Sequence, residues 1–245
     1  MKNIKYETKN EEKLIKAIQR KINTLDNGII GNDTLTTLAG ILTPNIFPLT
    51  LELYGLPCII GYDIIAFNPQ NKGIYSYTNS MVGSFTYPRA KQPCSILVNN
   101  YEVIHNYSCH AYYNKPESVL YKNDKNEIKI KRIMYIAEIE EKIKWAVGGC
   151  GLLSNYDPDA EGFTGKNAGV VNYDKHIVLG YKNGMLYGVY FKDADGKIIN
   201  DICKNKFMFK YAIILDGGGL AAMNGTEKFG KINIYQKQGY AIQFV

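Results

Sequence analysis

The sequence predicts an α+β protein, with a small N-terminal helical module over residues 1–45 followed by a mainly β, mixed α/β domain over 46–245. Three observations carry this expectation. Apolar residues recur at helical spacing near the N-terminus, short β-branched and aromatic runs dominate the remainder, and one pair of those runs is joined by Asn183-Gly184. A length of 245 residues suits one large domain, or a small module plus a medium one.

Taken in order, Leu14, Ile15, Ile18 and Ile22 line one face of a helix from Glu11 to Leu25, with Lys13, Lys16, Arg20 and Lys21 on the other face. A turn at Asp26-Asn27-Gly28 and Ile29-Ile30-Gly31 follows. Asn32 or Asp33 then caps a second helix carrying Leu35, Leu38 and Ile41, and Pro44 and Pro48 end the helical stretch. Strand-like runs occupy 58–67, 95–104, 128–139, 143–147, 176–181, 185–191, 211–215, 231–235 and 240–245. In HIVLGYKNGMLYGVYF, Asn183 and Gly184 both tolerate positive φ, which predicts a type I′ hairpin. Residues 197–209 read as a helix with Ile198, Ile202 and Cys203 inward.

Composition narrows the function classes. With 46% hydrophobic and 21% charged residues the chain is globular, which excludes disordered and collagen-like readings. The net charge of +6 is dispersed among Asn and Glu, and no Arg-rich run or RNP-like aromatic box is present, so a nucleic-acid partner is not expected. Cys58, Cys94, Cys109, Cys150 and Cys203 are widely spaced and form no C-x-x-C pair. They indicate neither a zinc ribbon nor a disulfide framework, and a reducing compartment of synthesis fits them best. The opening MKNIKYETKNEEK has no apolar signal-peptide core, and the most hydrophobic window, 48–67, is interrupted by Glu52 and Asp63. Synthesis in the cytoplasm without a signal peptide or membrane partner is therefore expected, with release to a cell wall left to another agent, as in phage-infected cells.

Two stretches resemble known families. Leu14 and Ile18 before Gln19, then Asp26, Gly28, Ile30, Gly31, Thr34 and Leu38, resemble a peptidoglycan-binding module of the three-helix type over about residues 11–43. An ordinary helical hairpin packed on the main domain is the alternative. The run from Ala212 to Asn224 contains Leu215-Asp216-Gly217-Gly218-Gly219, in which a buried strand delivers a carboxylate and a row of backbone N–H groups to its end. It resembles the LDGGGS signature of the phosphodiester glycosidase family, of the N-acetylglucosamine-1-phosphodiester alpha-N-acetylglucosaminidase type, with Leu220 in place of the usual Ser. Val147 to Leu153, including Gly149, resembles that family's glycine-rich turn, and Ala66-Phe67-Asn68 is a partial echo of its N-G-G-x-F element. His176-Ile177-Val178-Leu179-Gly180 resembles its central hairpin, with His176 where an Arg is usual.

The resemblance implies hydrolysis of a glycosyl phosphodiester bond in a cell-wall polymer or phosphorylated glycan, with no cofactor. It implies a catalytic role for Asp216, phosphate binding by His176 and Gly217 to Gly219, and ligand contacts at Gly149, Asn68 and Asn224. Glu161 or Asp159 is the candidate second carboxylate. The alternative is a catalytically weak phage or bacterial protein that sequesters a phosphorylated sugar or nucleotide-derived signal, favoured by Leu220 and His176. No metal is expected. Asn155 to Gly162 begins like a calcium loop, but the twelfth position from Asp157 is Ala168, where an EF-hand needs Glu, and His105 and His110 lack matching ligands for zinc.

Overall fold

A computed structural model describes residues 4–5, 16, 29–30, 50–69, 74–82, 93–225, 227–230 and 240–245. The chain divides into two compact units, Met1–Phe47 and Pro48–Val245. In the first, β1 (Ile4–Lys5) pairs antiparallel with β2 (Ile29–Ile30). The remaining positions of the helices read over 11–43 lie outside the described residues, apart from Lys16, which is helical.

The α+β class with a small N-terminal helical module is corrected: among the described residues the protein is mainly β, with 47% of them in strands, and the second unit has two sheets and one continuous helical stretch of 12 residues, Gly196–Phe207. Ile29 and Ile30, read as part of an inter-helix turn, are instead extended, as their β-branched side chains favour.

In the second unit, β3 (Thr50–Leu53), β4 (Leu56–Gly61), β5 (Ile64–Phe67) and β6 (Ser80–Val82) are followed by β7 (Leu97–Asn99), β8 (Glu102–His105), β9 (Glu117–Asn123), β10 (Ile128–Ile133) and β11 (Ile143–Gly151). The hairpin β12 (Asp174–Lys182) and β13 (Met185–Ala194) comes next, then helix α1 (Gly196–Ile202), β14 (Tyr211–Gly217), β15 (Met223–Asn224), β16 (Lys228–Phe229) and β17 (Ala241–Phe244). The large antiparallel sheet runs β10-β9-β11-β14-β12-β13-β4-β3, with β7 attached to β11 and β8 attached to β7. The second sheet runs β16-β15-β6-β17-β5. Residues 231–235, read as a strand, lie outside the described residues.

Both faces of the central strands are covered. Val178, Val189 and Ile214 point into a core with Phe163, Ile199, Cys203 and Phe207 from the loop and helix side. Their neighbours Ile177, Leu179, Ile213 and Leu215 pack against Met81, Met223, Ile242 and Phe244 of the second sheet. This is why 212–215 is apolar without alternation: each successive side chain enters a different core. Asn183 (φ 52) and Gly184 (φ 82) join Lys182 to Met185 in the expected tight turn. Asp195 caps α1 by accepting from the Ile198 amide at 2.8 Å. Ile198 is 42% exposed and Ile199 is fully buried in its place. The buried set Ile199, Cys203 and Phe207 steps by four because the helix continues as a π-turn over Cys203–Phe207.

Candidate functional site

The candidate site lies where the large sheet forks. One edge of β11 pairs with β9. On the other edge, Cys150 and Gly151 pair with Ile214 and Ile213 of β14, whereas Ala146 and Val147 pair with Val98 and Leu97 of β7. The changeover falls at Gly148 and Gly149. A Cβ on Gly148 would meet Glu117 Oε1 at 2.3 Å and Ser95 Oγ at 2.4 Å, and one on Gly149 would meet the Ile214 carbonyl oxygen at 2.3 Å. These glycines allow three strands and a carboxylate to converge. The structure therefore places Gly149 inside the β11–β14 contact rather than on a free surface.

Asp216 sits on β14 just past this point. It pairs in register with Ile177 across an irregularity in the β12–β14 ladder. Its carboxyl group is 5% exposed, Oδ1 accepts from the Gly217 amide at 2.7 Å, and Oδ2 is buried with no hydrogen-bond partner among the described residues. Burial pushes its pKa up to about 7, opposed only by the Gly217 amide. The following turn, Gly218–Leu220, opens on Gly218 at φ 67 and is closed by the Ala221 amide donating to the Gly218 carbonyl at 3.2 Å. Glycine suits that left-handed position. Of the three amides expected to meet an anion, that of Gly217 is thus engaged by Asp216.

His176 pairs with Gly217 on the adjacent strand and is fully buried. Its Nε2 donates to the Asn172 carbonyl at 2.8 Å, which leaves the lone pair of the neutral ring on Nδ1. Nδ1 has no hydrogen-bond partner among the described residues and lies where a Cβ on Gly217 would come within 2.7 Å of it. Burial lowers its pKa, so the ring is held in its neutral form. The structure brings His176 beside the glycine turn, as a ring that supports Gly217 and offers an acceptor toward it.

Glu161 lies in a different setting. Asp157 Oδ1 accepts from the Ala160 amide at 3.0 Å, and this turn directs Glu161 inward. There Oε1 accepts from Ser118 Oγ at 2.7 Å and Arg132 Nε at 2.8 Å, and Oε2 accepts from the Gly151 amide at 2.8 Å. Burial raises its pKa, against the lowering effect of all three donors. Asp159 stays on the outside of this loop, where its carbonyl accepts from Lys115 Nζ at 3.2 Å. Asn224 is also committed, donating from Nδ2 to the Tyr77 carbonyl at 2.8 Å in the second sheet. Asn68 is exposed just after β5. His110 Nδ1 contacts the Glu161 carbonyl at 2.8 Å and its ring packs edge-on against Phe163.

Sequence reasoning missed Glu117, Cys94 and Cys109. Glu117 is fully buried at the start of β9 and accepts from the Ile96 amide at 2.6 Å, Ser95 Oγ at 2.7 Å and the Cys109 amide at 3.3 Å. Burial drives its pKa up to about 8 in spite of those bonds. The Cys109 thiol lies 3.5 Å from the Cys94 thiol. Cys94 has its pKa raised by that neighbouring thiol, by burial, and by the charges of Glu117 and Asp216. No group of three or more His, Cys, Asp or Glu among the described residues could hold a metal ion. No helix among them is long and apolar enough to cross a membrane.

The chain is similar to the catalytic domain of zebrafish N-acetylglucosamine-1-phosphodiester alpha-N-acetylglucosaminidase, auto-inhibited by its pro-peptide. The identity is 13%, with 68% of this chain and 66% of that one covered and a TM-score of 0.48. It is also similar to a hypothetical protein from Synechocystis, with 8% identity, 77% and 59% coverage and a TM-score of 0.49. The relationship is a distant structural one, and the chain spans less than two thirds of either structure. No family profile and no curated protein matches the chain.

Proposed function

We propose that the unit Pro48–Val245 hydrolyses a glycosyl phosphodiester bond in a phosphorylated glycan, with Asp216 as its acid–base group. The observation that carries this reading is the buried Asp216 carboxyl group, whose Oδ2 has no partner among the described residues and whose pKa is raised to about 7. A carboxyl group poised near neutrality can deliver a proton to a departing phosphate and recover one from water. Its LDGGG setting adds the sequence resemblance to the geometry.

In this reaction water attacks the anomeric carbon, the bond from that carbon to the phosphate oxygen breaks, and a free sugar and a phosphomonoester result. Gly218 and Gly219 supply backbone donors for the phosphate. His176 positions the turn through Gly217, and Glu161 positions the 155–162 loop and β11 through Ser118, Arg132 and Gly151. Asp216→Asn is expected to reduce release of sugar from an α-N-acetylglucosaminyl phosphodiester about a hundredfold or more, while ligand binding survives.

A second reading is sequestration of a phosphorylated sugar or nucleotide-derived ligand without turnover. It is favoured by Leu220, which puts an apolar side chain in the turn where the resembling family has a hydroxyl, and by the neutral His176 ring. The same assay separates the two. Wild-type protein that binds sugar phosphates and releases no sugar over long incubation supports sequestration and sinks the hydrolase reading.

A further inference from the structure

We propose that Cys94 and Cys109 form a reversible dithiol–disulfide pair, oxidised by a low-molecular-weight disulfide, that closes a covalent loop around the β7–β8 hairpin. The two sulfurs are 3.5 Å apart across a separation of 15 residues. Closure to a disulfide requires them to approach to about 2.0 Å.

The surrounding bonds prepare that approach. A single buried carboxylate, Glu117, holds both thiol-bearing segments: Ser95 Oγ and the Ile96 amide next to Cys94, and the backbone amide of Cys109 itself. With both backbones pinned to one group, side-chain rotation supplies most of the remaining movement. Both cysteines are partly exposed, whereas Cys58, Cys150 and Cys203 are buried. Reagent access therefore separates this pair from the other three thiols. Burial raises the pKa of Cys58, Cys150 and Cys203, which further suppresses their thiolates.

The exchange balances with the oxidant as co-reactant. Either thiol of the contacting pair can open the exchange once ionised, and the steps from Cys109 mirror those from Cys94. The Cys109 thiolate forms a bond to one sulfur of the disulfide and expels the other half as a thiolate. The Cys94 thiol then loses its proton, attacks Cys109 Sγ and expels the second half. The two protons released by the protein thiols leave with the two thiol products, so the protein loses two electrons and the small disulfide gains them. Reduction by excess dithiol reverses both steps.

The inference does not depend on the hydrolase reading, because its readout is covalent. The full chain is incubated with oxidised glutathione, free thiols are alkylated with N-ethylmaleimide under denaturing conditions, and peptides are mapped by mass spectrometry. The expected result is a Cys94–Cys109 cross-linked peptide lighter by about 2 Da than the sum of its two reduced parts, with Cys58, Cys150 and Cys203 alkylated. Dithiothreitol added before alkylation should abolish the cross-link. Cys94→Ser should instead leave Cys109 carrying a stable mixed disulfide with glutathione. Alkylation of both Cys94 and Cys109 after oxidation of the wild-type protein, or a cross-link that pairs either of them elsewhere, overturns the proposal.

Discussion

Glu161 and Asp216 are both carboxyl groups buried at the large sheet, and their surroundings are opposite. Glu161 receives a hydroxyl, a guanidinium and a backbone amide, so both of its oxygens are occupied. Asp216 receives only the next residue's amide on Oδ1, and its Oδ2 has no partner among the described residues. Burial raises the pKa of both. Burial therefore does not separate the two carboxyl groups. The unspent acceptor does, because an unpaired buried oxygen costs free energy that a saturated one does not. Burial pushes the Glu117 pKa up to about 8, yet its donors saturate it, and it belongs with Glu161.

The largest expected loss of stability breaks the saturated side of this comparison. Glu161→Ala strands Ser118 Oγ and the Gly151 amide in the interior and removes the carboxylate partner of Arg132, which keeps its bond to the Asn155 carbonyl. The half-open position of Arg132, 30% exposed, lets the guanidinium recover water, which moderates the loss. A destabilisation of about 3 kcal/mol in urea unfolding is expected. In a double-mutant cycle with Arg132→Met, the two changes should cost less together than their sum. Full additivity would show that the ion pair contributes nothing to the clamp, and would return Glu161 to the list of candidate acids.

These contrasts explain which features the sequence revealed. The Asn183-Gly184 hairpin was legible because its chemistry is local, and Asp216 was legible because a strand followed by three glycines has few other uses. In the N-terminal segment the extended pair Ile29-Ile30 was hidden by the glycines on either side of it, while positions 14, 15, 18 and 22 lie outside the described residues. Strand β9, Glu-Ser-Val-Leu-Tyr-Lys-Asn, was missed although all seven of its residues are buried. It carries four polar side chains, and three of them are matched by partners distant in sequence, Glu117 by Ser95 and Ile96, Ser118 by Glu161 and Lys122 by Asp63, while Asn123 joins the distant Glu141 to the nearby Lys125 and Glu127. No alternation rule reveals a strand whose polar residues are matched across the fold. For the same reason Glu117 and the Cys94–Cys109 contact could not be found from spacing.

The next effect sharpens the unsaturated side. The folded pKa of Asp216 is raised to about 7 from an ordinary 3.8, so the fold favours the protonated form. The contribution of this group to stability is intact below about pH 4 and is lost as pH rises through 7. Asn is neutral throughout, so Asp216→Asn should match wild type near pH 3 and exceed it at pH 8 by about 4 kcal/mol. Thermal unfolding across that range checks the sign. A variant less stable than wild type at pH 8 would mean that the ionised carboxylate has a favourable partner, and the contrast with Glu161 would collapse.

The smallest effect concerns the turn that joins Asp216 to its proposed ligand. Gly218 adopts φ 67, and the nearest atom to an added Cβ is Asp174 Oδ2 at 3.5 Å, so Ala meets no steric clash and pays only for the left-handed backbone. Gly218→Ala should therefore cost about 1 kcal/mol, through backbone strain alone. If Gly218 and Gly219 hold phosphate, inorganic phosphate should raise the Tm of wild type and raise it less in the variant, since shifting the turn turns the amides away from their common target. The exposed Asp174 carboxylate beside Gly218 opposes an anion there, so Asp174→Asn should increase the stabilisation by phosphate. Equal protection of all three proteins would place the phosphate elsewhere and leave Asp216 without the ligand its unpaired oxygen is proposed to serve.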